Sequence, residues 1–125
     1  MKKILCIVFA STILLYACNT GGKATSTQRY KGKFEVKALC MNYTFTVTEG
    51  NIDTSLVNAS WADESTGKIY NNAFGIKNPC DLPKDLQAGD EFYFVIDTAK
   101  GSPCQVCMAY YPTPPRKLSI KVVGK

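Results

Sequence analysis

The chain has 125 residues, with 15 lysines and arginines against 10 aspartates and glutamates, six cysteines and no histidine. The missing histidine removes the commonest general base, the Ser-His and Cys-His nucleophile pairs and the usual ligand of catalytic zinc. The formal charge of +5 is spread along the chain rather than gathered into a stripe, which argues against a nucleic-acid partner.

The chain opens "MKKILCIVFASTILLYAC". Lys2 and Lys3 form a positive start, and residues 4–15 form a mostly apolar stretch interrupted by Ser11 and Thr12. A membrane-spanning helix needs about 20 apolar residues, so this shorter stretch reads as a secretory signal. Its ending, with Leu15, Ala17 and Cys18, resembles the lipobox of bacterial lipoproteins. That resemblance implies cleavage after residue 17 and acylation of Cys18, with lipids such as palmitate. It also implies anchoring in the bacterial cell envelope, on the periplasmic or outer-membrane face. The bland alternative is an ordinary signal peptide with a chance cysteine, of which Cys6 is an example. The polar, glycine-containing "NTGGKATSTQR" then reads as a flexible tether over residues 18–29.

Residues 30–125 are the right length for one small domain, short enough that its core needs cross-links. Period-two alternation broken by turn residues roughly every 8 to 12 positions marks it as all-β. In "KFEVKALCMNYTFTVTEG", Phe34, Val36, Ala38 and Cys40 alternate on even numbers, then Met41, Tyr43, Phe45 and Val47 on odd ones. The face change predicts one long strand with a bulge or sharp bend near Cys40 and Met41. A strand over 56–62 and another over 68–76 meet across "DESTG", a hairpin loop. The segment "KNPCDLPKDLQAGDEF" has two prolines and room for at most one helical turn. "EFYFVID" sets Phe92, Phe94 and Ile96 on one face, and "KLSIKVV" does the same with Leu118, Ile120 and Val122.

Five strands with an irregular crossover before the fourth resemble a small OB-fold-like barrel of five to six strands. The crossover departs from that pattern, being too short for the helix that closes one end of such barrels. An immunoglobulin-like β-sandwich is the alternative, with residues 108–111 supplying a further strand.

Cys40, Cys80, Cys104 and Cys107 make an even number of domain cysteines in an exported chain, which points to two disulfides. Three pairings are open. A Cys104–Cys107 bond would close a short loop worth about 2 kcal/mol, whereas bonds from this pair to Cys40 and Cys80 are worth about 3.5 to 4.5 each. In extended chain, residues three apart lie about 10 Å apart, beyond disulfide reach, so long-range pairing is favoured. The competing reading is soft-metal or thiol-redox chemistry in the envelope. C-x-x-C is a dithiol spacing, and Cys40-Met41 and Cys107-Met108 offer thiolate with thioether, a donor set suited to Cu(I). In that alternative Cys104, Cys107 and Met108 would hold copper. No helix pattern follows Cys107 to lower a thiol pKa, and methionine in a β domain ordinarily fills core. The expectation is therefore no cofactor and no metal.

No catalytic constellation is visible. The pairs Asp63-Glu64 and Asp90-Glu91 read as solvated turn residues, and "NTGGK" lies in the tether rather than between a strand and a helix. The remaining functional signal is aromatic: of six phenylalanines, seven tyrosines and one tryptophan, only Phe9 and Tyr16 leave with the signal segment, which leaves many rings for so small a barrel. Ligands of OB-type barrels lie over the second and third strands and the first and last loops. Here that implies a protein or glycan partner on Trp61, Tyr70, Phe74, Tyr110 and Tyr111. "YPTPP" reads as a stiff polyproline-II edge. The expectation is a non-enzymatic, lipid-anchored binding or scaffolding module.

Overall fold

The computed structural model describes residues 28–99 and 101–125. The expected signal segment, Cys18 as the expected acylation site, and most of the expected tether lie outside the described residues. Seven strands form one sheet: β1 Arg29–Lys37, β2 Tyr43–Glu49, β3 Asn58–Ala62, β4 Ile69–Ile76, β5 Glu91–Ile96, β6 Lys117–Leu118 and β7 Ile120–Gly124. Among the described residues the only helical pieces are two 3-10 turns, Leu39–Met41 and Pro79–Asp81. The domain is all-β.

The strands lie in the order β3-β4-β2-β1-β5-β7, with antiparallel neighbours. The short β6 reaches back to pair parallel with the end of β4, Gly75 to Lys117 and Ile76 to Leu118. Gly75 lets the two strands approach closely, since a Cβ there would lie 3.0 Å from the Lys117 side chain and 3.3 Å from the Pro114 carbonyl and would press on both.

The long bent strand expected over 34–47 is two strands joined by a tight turn, and the last run, expected as one strand, divides at Ser119 into β6 and β7, so five expected strands become seven. The Asn42 amide donates to the Leu39 carbonyl at 3.2 Å, and the two residues between, Cys40 and Met41, have φ of 55° and 56°. Positive φ at both central residues matches the right-handed twist of the strands a tight hairpin joins. The face change read from the sequence is real, and the chain reversal causes it. The ladder irregularities fall instead inside β1, between Lys31 and Gly32 and between Phe34 and Val36. Residues 108–111, a strand in the sandwich alternative, lie in irregular chain.

The alternation read elsewhere does set the core. Phe34, Phe45, Phe74, Phe92 and Phe94 are at most 1 % exposed, with Leu118 and Ile120 from the last strands beside them. Phe45 sits at the centre: its ring stacks on Phe34 at 4.4 Å and Phe74 at 5.6 Å, and meets Phe92 edge-on at 5.7 Å. Each such pair adds about 0.5–1.5 kcal/mol beyond the apolar area it buries.

Candidate functional site

Between β5 and β6, from Asp97 to Arg116, the described residues form no strand or helix. A segment that long must satisfy its backbone and hold its shape by other means. Two disulfides do much of this. Cys40 bonds Cys107 and Cys80 bonds Cys104, with Cα atoms 4.9 Å and 5.6 Å apart. The long-range pairing favoured by the entropy and spacing arguments is the one found. The two C-x-x-C cysteines are joined to different partners, so neither thiol is free.

Side chains add further pegs. Asn42 donates through Nδ2 to the Leu39 and Ala109 carbonyls, both at 2.9 Å, tying the β1–β2 turn to the loop two residues beyond Cys107. The Ser102 amide donates to the Asp81 carboxylate at 3.4 Å. Hydrogen bonding by the Ser102 side chain first, then by Asn78, and in smaller part by this amide, holds the Asp81 carboxyl below its ordinary value. Asn78 is itself buried and exchanges two hydrogen bonds with the backbone of Ile120, at 2.9 and 3.0 Å. Farther along, the Arg116 amide donates to Asn58 Oδ1 at 3.1 Å, and its guanidinium donates to the Ser55 carbonyl.

Tyr111 turns inward. Its hydroxyl donates to Asp63 Oδ2 at 3.1 Å, and burial, then that hydrogen bond, raises its phenol above the ordinary value. Asp63 is a turn residue as expected, but it is fully buried rather than solvated. Its Oδ1 accepts the Ser65 amide at 2.8 Å, and its carbonyl accepts the amides of Thr66 and Gly67. The carboxylate organises the β3–β4 hairpin from inside, and Tyr111 closes over it. Glu64 alone of that pair is solvent-facing.

The five aromatic candidates therefore separate. Phe74 is 0 % exposed and Tyr70 only 8 %, so neither offers a partner more than an edge. Burial, then the charges of Glu35 and Asp63, raises the Tyr70 phenol above its ordinary value. Trp61 stacks on Tyr70 at 5.9 Å and is half-buried. Tyr111 is committed to Asp63. Tyr110 is left, 79 % exposed.

The disulfides hold other apolar side chains beside it. Met108 is 96 % exposed, Leu39 55 % and Val106 45 %. An open groove of about 530 Å³ runs between the β1–β2 turn and the loop, with Leu39, Met41, Tyr43 and Val106 along it. A smaller one of about 190 Å³, between Cys40 and Cys104, carries Lys77 and Lys117. Leu39 and Val106 escaped the sequence reading because one looked like strand interior and the other like filler inside the C-x-x-C. Their one available signal was position, each adjoining a cysteine.

Met108, the thioether of the copper alternative, projects into solvent beside a cysteine already bonded. Among the described residues no group of three or more histidine, cysteine, aspartate or glutamate side chains could hold a metal ion. Among them, too, no helix is long and apolar enough to cross a membrane. Comparison of the chain with protein-family models, with curated proteins and with solved structures finds no match.

Proposed function

We propose that this chain is a lipid-anchored protein of the bacterial cell envelope whose disulfide-stapled β domain binds or scaffolds a partner without catalysing a reaction. The observation that carries the binding reading is the display of Met108 and Tyr110, 96 % and 79 % exposed, on a loop fixed by two disulfides. Exposed apolar side chains held in place lose little further entropy on docking, which is how a preformed contact surface gains affinity. The two disulfides favour an oxidising compartment, in keeping with the secretory opening. The direction of β1 also supports the reading. It starts at Arg29, where the tether enters, and runs nine residues, about 30 Å, to the turn that carries Leu39. A domain anchored at Cys18 would then present the disulfide end away from the lipid.

We read the sheet as an OB-like barrel. In support, β6 pairs with β4 while β7, one residue later in the chain, pairs with β5, so the last stretch of chain reaches both ends of the run β4-β2-β1-β5, with β3 outside β4.

Two experiments test this function. Feeding cells an alkyne-tagged fatty acid should label the wild-type chain and the Cys6→Ala variant but not Cys18→Ala; label surviving Cys18→Ala removes the anchor. A photoreactive residue at position 108 should cross-link a single partner in intact cells, and Tyr110→Ser should abolish the adduct while shifting stability by no more than about 0.5 kcal/mol. An unchanged adduct places the contact elsewhere. The alternative, soft-metal or thiol-redox handling through Cys104 and Cys107, requires both disulfides to open. Counting thiols in the native protein separates the two: none supports binding, and two or more supports the alternative.

A further inference from the structure

A second feature adjoins the β1–β2 turn, where the crossover from β4 to β5 packs against the end of the core. With two prolines and a single 3-10 turn over Pro79–Asp81, the crossover cannot form the helix that would fill this end. Leu86 alone is driven fully into the core, 2 % exposed, and Leu82 packs partly against it. What remains is a groove of about 350 Å³. Its floor is the Phe34–Tyr43 ring pair, packed edge-on at 5.0 Å, and its walls are Met41, Leu82, Pro83 and Leu86. That volume and largely apolar lining lie within the range of small-molecule sites.

The polarity of the rim is one-sided. Lys37 and Lys84 line the groove, and no carboxylate does. Lys37 is held in place by neutral acceptors: its ammonium donates to the Leu86 carbonyl at 3.0 Å and to Gln87 Oε1 at 3.1 Å. An ammonium has three N–H groups, so one remains for a ligand, and its charge meets no counter-charge. Among the described residues, neither Lys37 nor Lys84 forms an ion pair, whereas Lys31, Lys33 and Lys125 all do. An apolar slot with a fixed cation at its mouth matches an amphiphile with a single negative head.

We propose that this groove binds a medium-chain carboxylate, its apolar body over Phe34 and Tyr43 and its head at Lys37 and Lys84. The groove adjoins the open one beside the loop, sharing Lys37, Met41 and Tyr43 with it, but neither Met108 nor Tyr110 lines it. A charge-assisted hydrogen bond is stronger than a neutral one, so the head supplies orientation as well as affinity.

The test is titration of the full chain, both disulfides intact, with sodium decanoate below its micelle-forming concentration, followed by amide NMR. Saturable shifts at Tyr43, Leu82 and Leu86 are expected. Neutral decanol should bind about tenfold more weakly, and decyltrimethylammonium should show no saturable binding. Lys84→Gln, at an exposed side chain, should weaken decanoate about threefold and leave decanol unchanged. Lys37→Gln should weaken it further, and Lys37→Arg, which keeps the charge near Leu86, should recover most of the loss. Equal affinity for decanoate and decanol overturns the proposal. So do shifts confined to Val106, Met108 and Tyr110, or a response only to phosphatidylglycerol vesicles, which would make the face a membrane contact. Tyr110→Ser should leave decanoate binding intact, so failure here and failure of the partner surface are told apart.

Discussion

Phe45 and Met108 mark the two regions of this molecule. Phe45 is 0 % exposed, ringed by Phe34, Phe74 and Phe92 on strands whose backbones pair on both sides. Met108 is 96 % exposed, on a stretch with no strand partner, next to a cysteine bonded to a residue 67 positions earlier. The sheet is held by many small, mutually supporting terms: apolar burial, ring packing and ladder hydrogen bonds. The loop is held by a few discrete ones, two disulfides and the bonds made by Asn42, Asp81, Tyr111 and Arg116. Core packing dictates where side chains go by hiding them. Cross-links fix a backbone while leaving its side chains in water, so the loop can present apolar residues that a core would have absorbed.

The sharpest way to break the sheet is Phe45→Ala. It should cost about 3–5 kcal/mol, read as a fall in chemical-denaturation midpoint, because the hole opens among rings that cannot close over it. A loss under 1 kcal/mol would mean the core does not centre on this ring.

The loop should respond next, and its two disulfides should not be equal. By chain entropy, Cys40→Ala with Cys107→Ala removes a closure over 67 positions, worth about 4 kcal/mol. Cys80→Ala with Cys104→Ala removes one over 24, worth about 3.5. The first variant should have the lower melting temperature. It should also release the turn, where Cys40 and Met41 adopt left-handed backbone that costs non-glycine residues about 1–2 kcal/mol each. The reverse order would show that native-state contacts, not chain entropy, set the contribution of each bond.

Neighbouring tyrosines give a smaller contrast within the loop. Tyr111→Phe leaves the buried Asp63 carboxylate short of a donor and should cost about 1–3 kcal/mol, whereas Tyr110→Phe should change stability by less than about 0.5. Matching losses would mean that the Tyr111–Asp63 bond contributes little.

The smallest effect expected is with acid. The folded value of Asp81 lies below its unfolded one, chiefly through Ser102 and then Asn78. The clamp is therefore complete above the ordinary aspartate value of about 3.9 and is lost as pH falls through the lower folded value. An NMR titration should show the Ser102 amide moving in that acid window while the Phe45 amide stays still. Movement of both together would mean that the loop and the sheet unfold as one unit.

Much of the sheet was legible because period-two alternation is a direct consequence of strand geometry. Phe92 with Phe94, and Leu118 with Ile120, face inward where the pattern put them. The β1–β2 turn was not legible as a turn. Its central residues are Cys-Met, where positive φ ordinarily calls for Asn-Gly, so only the face change betrayed it. Of the aromatic candidates, Tyr110 is displayed as expected. Tyr111, Tyr70 and Phe74 are drawn inward, because what covers a ring depends on chain far away, such as Asp63, 48 residues before Tyr111.

The amino-acid sequence by itself determined the all-β class, the inward faces of the later strands and the preference for long-range disulfides. Each follows from local periodicity, or from spacing along the chain. Only the tertiary structure decided that Cys40 pairs with Cys107 and Cys80 with Cys104, that Asp63 is buried beneath Tyr111, and that Lys37 and Lys84 stand together at an apolar groove. Those are meetings of residues far apart in the chain, and the close packing of the whole sheet fixes them, not any rule acting on neighbouring residues.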